Sequence, residues 1–162
     1  MSEPLFRCEG GSIVLPDMPM VSAEHGGNLI VNPPRPVWER SELLPHELTQ
    51  WSFLVAAAGR AMLDALPQLE GGCINYWEAG NWALNAAADP VGPKSPTIHR
   101  NMHLHLLGRS RNAPRWGEAP AFPDFANRFE WAKNHKPLSA AECAAVVAQT
   151  KLVLRERYGI DA

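Results

Sequence analysis

The chain has few cysteines, no long apolar run and no large excess of one charge. Cys8, Cys73 and Cys143 lie far apart without a CxxC pair, so we expect reduced thiols and neither a disulfide framework nor a four-cysteine zinc site. No apolar run approaches the roughly 20 residues that span a bilayer, and no signal-peptide pattern opens the sequence. These features predict a cytoplasmic protein without a membrane partner.

The charge and size of the chain limit the class of protein further. A net charge of -2 at pH 7 argues against general nucleic-acid binding, although a local basic pocket stays open. A length of 162 residues, with 46% hydrophobic and 20% charged residues, is typical of one globular domain with its own core. We therefore expect a single domain over residues 1–162.

The most informative stretch is residues 99–106, where polar and apolar residues alternate strictly. This is the period of a half-buried strand, in which successive side chains point to opposite faces. One face is polar and carries His99, Asn101, His103 and His105. The other is apolar and carries Met102, Leu104 and Leu106. Residues two apart lie roughly 6.5–7 Å from each other along a strand, so neighbouring imidazoles could meet one ligand.

Two cationic residues follow this stretch. Gly108 is expected to end the strand, and Arg109 and Arg111 come directly after it, where they could bind an anionic substrate. The alternative is a solvent-facing strand that is rich in histidine by chance.

The run Asn101-Met-His-Leu-His-Leu-Leu107 resembles the signature of the histidine triad (HIT) family, His-φ-His-φ-His-φ-φ with φ apolar, with Asn in the first triad position. Gly27-Asn-Leu-Ile-Val-Asn-Pro33 resembles the family's Gly-His-φ-φ-Val-φ-Pro strand, again with Asn28 in place of His. The Lys-x-His that often follows that proline is missing. Asparagine can donate hydrogen bonds but cannot exchange a proton between about pH 5 and 8.

The resemblance implies an activity and a set of site residues. The family hydrolyses or transfers nucleoside monophosphates joined at the α-phosphate, as in dinucleoside polyphosphates and nucleoside phosphoramidates, and its members are mostly homodimers without a cofactor. It implies that the middle histidine, His103, is the nucleophile. By their own chemistry, His105 could donate to a phosphate oxygen and Asn101 could hold another. The remaining candidates, for substrate binding, are Asn28, Asn75, Asn81, His99 and Arg109. For Asn81 ordinary turn chemistry is an equal explanation, because Gly-Asn is a strong turn dipeptide.

The order of predicted elements indicates the fold. They are strands 12–15 and 28–32, a helix from Pro45 to about Leu66, strands 73–82 and 99–106, and a helix from Ser139 to Gly159. Strands with short connections favour an antiparallel sheet with helices packed on one face, an α+β domain. This agrees with the HIT fold, which the resemblance covers over about residues 12–111. Residues 112–162 add an aromatic-rich wrap, interpreted as packed chain or a dimer contact, and the terminal helix.

Other interpretations stay open. The loop 86–98, with Lys94, could be a substrate lid or an insertion without function. The protein could bind nucleotide with little turnover, because two family histidines are asparagine. His-x-His on a strand is also a spacing typical of metal ligands. A metal site would need further ligands, and the only candidates in the chain are His99, His25 or a distant Glu. Finally, the aromatic segment could bind a protein partner and the histidine face could be incidental.

Overall fold

A computed structural model describes residues 3–79, 102–113 and 133–162 of the chain. Its main elements are β1 (Phe6–Cys8), β2 (Gly11–Val14), β3 (Asn28–Asn32), α1 (Pro45–Ala65), β4 (Cys73–Ala79), β5 (His103–Arg109) and α2 (Ala140–Tyr158). Short 3-10 helices cover Ala23–His25, Arg40–Glu42 and Pro67–Leu69.

The strands form one antiparallel sheet in the order β1-β2-β3-β5-β4. β5 therefore lies between β3 and β4, with both of its edges hydrogen-bonded. Both helices contribute to the same core as the apolar face of this sheet. The predicted α+β fold, an antiparallel sheet with helices on one face, is confirmed.

The core lies between the helices and one face of the sheet. From the sheet come Leu29 and Val31 of β3 and Leu104 and Leu106 of β5, all buried. α1 contributes a buried stripe of Trp51, Leu54, Ala57, Ala58, Ala61 and Met62. These side chains recur at three- and four-residue steps, as expected for a helix with one apolar face.

Three helix ends that the sequence predicts are present, the start of α1 and both ends of α2. Pro45 occupies the first turn of α1, where a missing N–H costs nothing. Ser139 caps α2, since its Oγ accepts from the Glu142 N–H and the Glu142 carboxylate accepts from the Ser139 N–H. Burial tends to raise the pKa of Glu142, but hydrogen bonds from Ser139 and Gln68 outweigh it and lower that pKa. Gly159 ends α2 with φ of 67°, the left-handed region that favours glycine.

Three parts of the structure differ from the sequence-based expectation or lie beyond it. β1 was not predicted, because three residues are too few to show an alternating pattern. Gly108 does not end the strand that carries the histidines, because β5 continues to Arg109 and Gly108 pairs with Ile74. The loop 86–98 and most of the aromatic segment fall outside the described residues, so those predictions stay untested.

Gly108 lies inside β5 and is in backbone contact with the chain just before β3, which continues alongside β5 beyond the end of the β3–β5 ladder. The Gly108 N–H donates to the Gly27 carbonyl at 2.9 Å, and the Ser110 N–H to the His25 carbonyl at 2.9 Å. A Cβ on Gly108 would lie 2.2 Å from the Gly26 carbonyl oxygen. Only glycine permits this approach, which joins the residues preceding β3 to the end of β5.

None of the helices among the described residues is long and apolar enough to cross a membrane.

Gly108→Ala should therefore destabilise the fold by about 3 kcal/mol, the upper end of the range for overpacking, because its methyl group meets backbone rather than a movable side chain. Gly159→Ala is the matched control: its Cβ meets nothing within 4 Å, so it should cost only about 1 kcal/mol for the left-handed conformation. Urea unfolding of both variants measures the difference. Equal losses would contradict this close backbone approach.

Candidate functional site

The sheet face away from the helices carries both imidazoles of β5. Because Leu104 and Leu106 belong to the core, the alternate residues His103 and His105 point to the opposite face. Only 6% of His103 and 3% of His105 is exposed. The two histidines are therefore side by side and largely removed from water, which a solvent-facing strand would not require.

The two imidazoles contact each other through their Nε2 atoms. These atoms are 3.0 Å apart, and the ring centroids are 4.8 Å apart with the rings tilted by 59°. At a hydrogen-bond distance between two ring nitrogens, one Nε2 carries the hydrogen and the other accepts it. The contact therefore fixes one imidazole of the pair as a donor and leaves the other with a lone pair on Nε2.

Trp77 lies on this face, although no motif in the sequence indicates it as a site residue. It lies directly opposite His105 in the β4–β5 ladder, and its ring stacks on the His105 ring with centroids 5.0 Å apart at 23°. Ile30 lies opposite His105 on the other neighbouring strand, β3. The signal that would have identified Trp77 is the register between strands, which no single stretch of sequence contains.

Asn28 lies on the same face, opposite Leu107, and is 1% exposed. Its Oδ1 accepts from the Met20 N–H at 3.0 Å. Its Nδ2 donates to the carbonyls of Leu29 at 2.9 Å and Leu106 at 3.2 Å. The carboxamide thus joins the loop before β3 to the centre of the sheet, a structural role beside the substrate contact that we predicted for it.

Asn75 and Arg109 are two further candidates that the structure describes. Asn75 is half-buried on β4, opposite Leu107 and one position along the face from Trp77. Arg109 is half-buried at the end of β5, opposite Cys73. It lies four residues from His105, roughly 13 Å along the strand, so its long side chain would have to extend toward the imidazoles to share a ligand with them.

The other predicted site residues, Asn81, His99 and Asn101, lie outside the described residues. His25, one of the alternative metal ligands, has its carbonyl bonded to the Ser110 N–H at 2.9 Å. Ser110 is five residues beyond His105, which corresponds to roughly 17 Å along a strand. Within the ranges that the structure describes, no three His, Cys, Asp or Glu side chains are grouped to hold a metal ion.

The loop between β2 and β3 is held by the segment that leads into α2. The Ala23 N–H donates to the Lys136 carbonyl at 2.8 Å, and the Lys136 N–H donates to Ser22 Oγ at 3.0 Å. The Ser22 hydroxyl in turn donates to Glu24, which lowers the pKa of that carboxyl. Together with Asn28, these bonds fix the loop at one side of the imidazole face.

Comparison with known proteins supports the fold. No protein-family model and no curated protein matches the sequence. Among solved structures, the chain is similar to a hypothetical histidine triad nucleotide-binding protein from Sulfolobus tokodaii strain 7, with 13% identity, a TM-score of 0.53, and coverage of 98% of this chain and 90% of that one. At this identity the likeness shows the fold alone, and that fold is HIT-like.

Asn28→Ala should destabilise the protein by about 2–4 kcal/mol, because it leaves buried backbone groups without partners at about 1–3 kcal/mol each. Asn32→Ala is the control on the same strand, since Asn32 is half-buried and has one long hydrogen bond, 3.5 Å to Ser12 Oγ. Chemical denaturation compares the two. A loss at Asn28 no larger than at Asn32 would contradict the structural role.

Proposed function

We propose that the protein is a nucleotide hydrolase or nucleotidyl transferase that acts at the α-phosphate of a nucleotide conjugate. The observation that carries the proposal is the buried pair of imidazoles in direct Nε2 contact, 3.0 Å apart, on the face of a HIT-like sheet that points away from the helices. A neutral imidazole is a competent nucleophile when an adjacent group keeps its lone pair available. The similar protein from Sulfolobus tokodaii, described as nucleotide-binding, is consistent with this substrate class.

His103 is the proposed nucleophile. Its Nε2 accepts the hydrogen of His105 in the resting site, and it attacks phosphorus when substrate displaces that contact. A P–N bond forms, and the bond from phosphorus to the leaving group breaks with its electron pair on the leaving group. Water then cleaves the P–N bond in the hydrolase, which releases the nucleoside monophosphate and restores His103. In a transferase another acceptor takes the place of water.

The other site residues are assigned to binding the phosphate and the charge that develops on it. Once His103 is engaged with phosphorus, the Nε2–H of His105 is available to a non-bridging oxygen, where a preorganised donor stabilises the transition state. Asn101 is proposed to hold another oxygen. Asn28, Asn75, Asn81, His99 and Arg109 are proposed substrate contacts, and the mechanism needs no metal or other cofactor.

A second candidate function is nucleotide binding with little turnover. Asn28 stands where the family motif has histidine, and its carboxamide is bonded to three backbone groups. A carboxamide does not ionise near neutral pH, so Asn28 cannot supply a proton to a leaving group. A protein of this kind would bind nucleotide through the same face without forming an adduct.

The test is a panel of nucleoside 5′-phosphoramidates and dinucleoside polyphosphates, followed by mass spectrometry of the intact protein. We expect turnover of at least one compound and a nucleoside monophosphate adduct on His103. Binding without product and without an adduct would favour the second candidate and exclude the first.

His103→Ala should abolish this turnover, because losing the nucleophile costs roughly 5 kcal/mol or more, several orders of magnitude in rate. Thermal unfolding shows whether the variant is folded, and His103→Asn provides a polar replacement if alanine destabilises the buried site. His46→Ala, at an exposed position in the first turn of α1, should retain full activity. Undiminished turnover in folded His103→Ala would remove the mechanism.

We further propose that the protein is a homodimer. Among the strands that the structure describes, β4 is at the end of the sheet, and Tyr76 on it is a large side chain with 53% of its surface exposed. An open strand edge can pair with another chain, and a second copy would cover this side chain.

Sedimentation at micromolar protein should therefore show a dimer, and Tyr76→Lys should shift it toward monomer. Met18→Lys introduces the same charge at a side chain that is 51% exposed and lies outside the strands, so it should leave the dimer intact. A wild-type monomer at these concentrations would refute the proposal.

A further inference from the structure

We propose that Trp77 is a positioning residue, which holds the His105 ring so that its Nε2–H points to Nε2 of His103. The inference rests on the proposed function of the same site and identifies what keeps the nucleophile in its reactive form. Trp77 itself is not assigned a contact with the reacting phosphorus.

The packing around His105 leaves its ring one favourable orientation. Trp77 stacks on the ring at 5.0 Å and 23°, and the two residues are directly opposite each other in the β4–β5 ladder. His105 is 3% exposed, so rotating the ring out of the stack would require neighbouring atoms to move. Its Nε2 edge is directed at His103, 3.0 Å away. The stack and the hydrogen bond therefore support the same rotamer.

The choice of an aromatic partner also suits the flat face of the His105 ring. Stacked aromatic rings attract each other beyond the effect of the area that they bury. An aliphatic residue of similar width would fill the space but would not provide this attraction.

The tautomer of His103 is the direct consequence. With His105 held as the donor, the neutral His103 ring carries its hydrogen on Nδ1 and keeps the Nε2 lone pair. If His105 could rotate, the Nε2 contact would loosen and His103 could carry its hydrogen on either nitrogen. Part of the population would then be unable to attack through Nε2.

Trp77→Leu and Trp77→Phe test this, with Phe53→Leu as the matched control. The Phe53 ring stacks on Tyr158 at 4.8 Å and 23° away from the imidazole face, so Phe53→Leu removes a stack of the same geometry. ¹⁵N NMR of the histidine rings in the free protein reports the tautomers. Kinetics with a diadenosine polyphosphate, or with the compound of the panel that the wild type turns over fastest, report kcat and KM.

We expect Trp77→Leu to change His103 from one Nδ1–H tautomer to a mixture and to lower kcat about tenfold, or about 1.4 kcal/mol, with KM changed less than about threefold. Trp77→Phe should restore both, and Phe53→Leu should alter neither. If Trp77→Leu does not fold, Trp77→Met takes its place.

Unchanged tautomers together with an unchanged kcat would overturn the proposal. So would a rise in KM alone, which would mean that Trp77 contacts the substrate instead. A wild type that turns over no compound would refute the proposed function, while the NMR comparison in free protein would still decide the role of Trp77.

Discussion

The burial of Leu104 and Leu106 against the helices determines where everything else on β5 lies. Both side chains are 5% exposed or less, and their neighbours His103 and His105 must then point to the other face. A slip of one residue in register would place the imidazoles in the core and the leucines on the face away from the helices. The hydrophobic core and the candidate site thus use opposite faces of β5. Packing of the leucines in the core therefore also fixes where the two imidazoles lie.

The hydrogen bonds of the Asn28 side chain explain why asparagine suits this position. The site requires two donors and one acceptor, for the carbonyls of Leu29 and Leu106 and the N–H of Met20. A carboxamide offers this set, whereas a neutral imidazole has one donor and one acceptor, and an imidazolium has two donors and no acceptor. Asn28 therefore anchors the loop in a way that histidine could not, and it gives up proton transfer in return.

Much of the fold could be predicted because its signals are local. The alternation over 99–106 indicated which β5 side chains share a face, and the Ser139 capping box and Gly159 bounded α2. Local signals failed where the cause was tertiary. The sequence pattern indicates a strand end at Gly108, whereas its missing Cβ permits contact with Gly26 inside the strand. The stack of Trp77 on His105 depends on the register between two strands, which the sequence of either strand alone does not contain.

In the proposed reaction, the leaving group can need a proton, and the lack of a clear donor for it is the main chemical constraint on the substrate. Asn28 and Asn75 cannot release a proton, and arginine, as at Arg109, stays charged throughout the relevant pH range. The hydrogen between the two imidazoles is already used to keep His103 nucleophilic and then to stabilise a phosphate oxygen. A leaving group that departs as a stable anion needs no further proton, whereas an amine must be protonated on nitrogen before it leaves. The described part of the site therefore suits phosphoanhydrides and acidic esters better than phosphoramidates of basic amines.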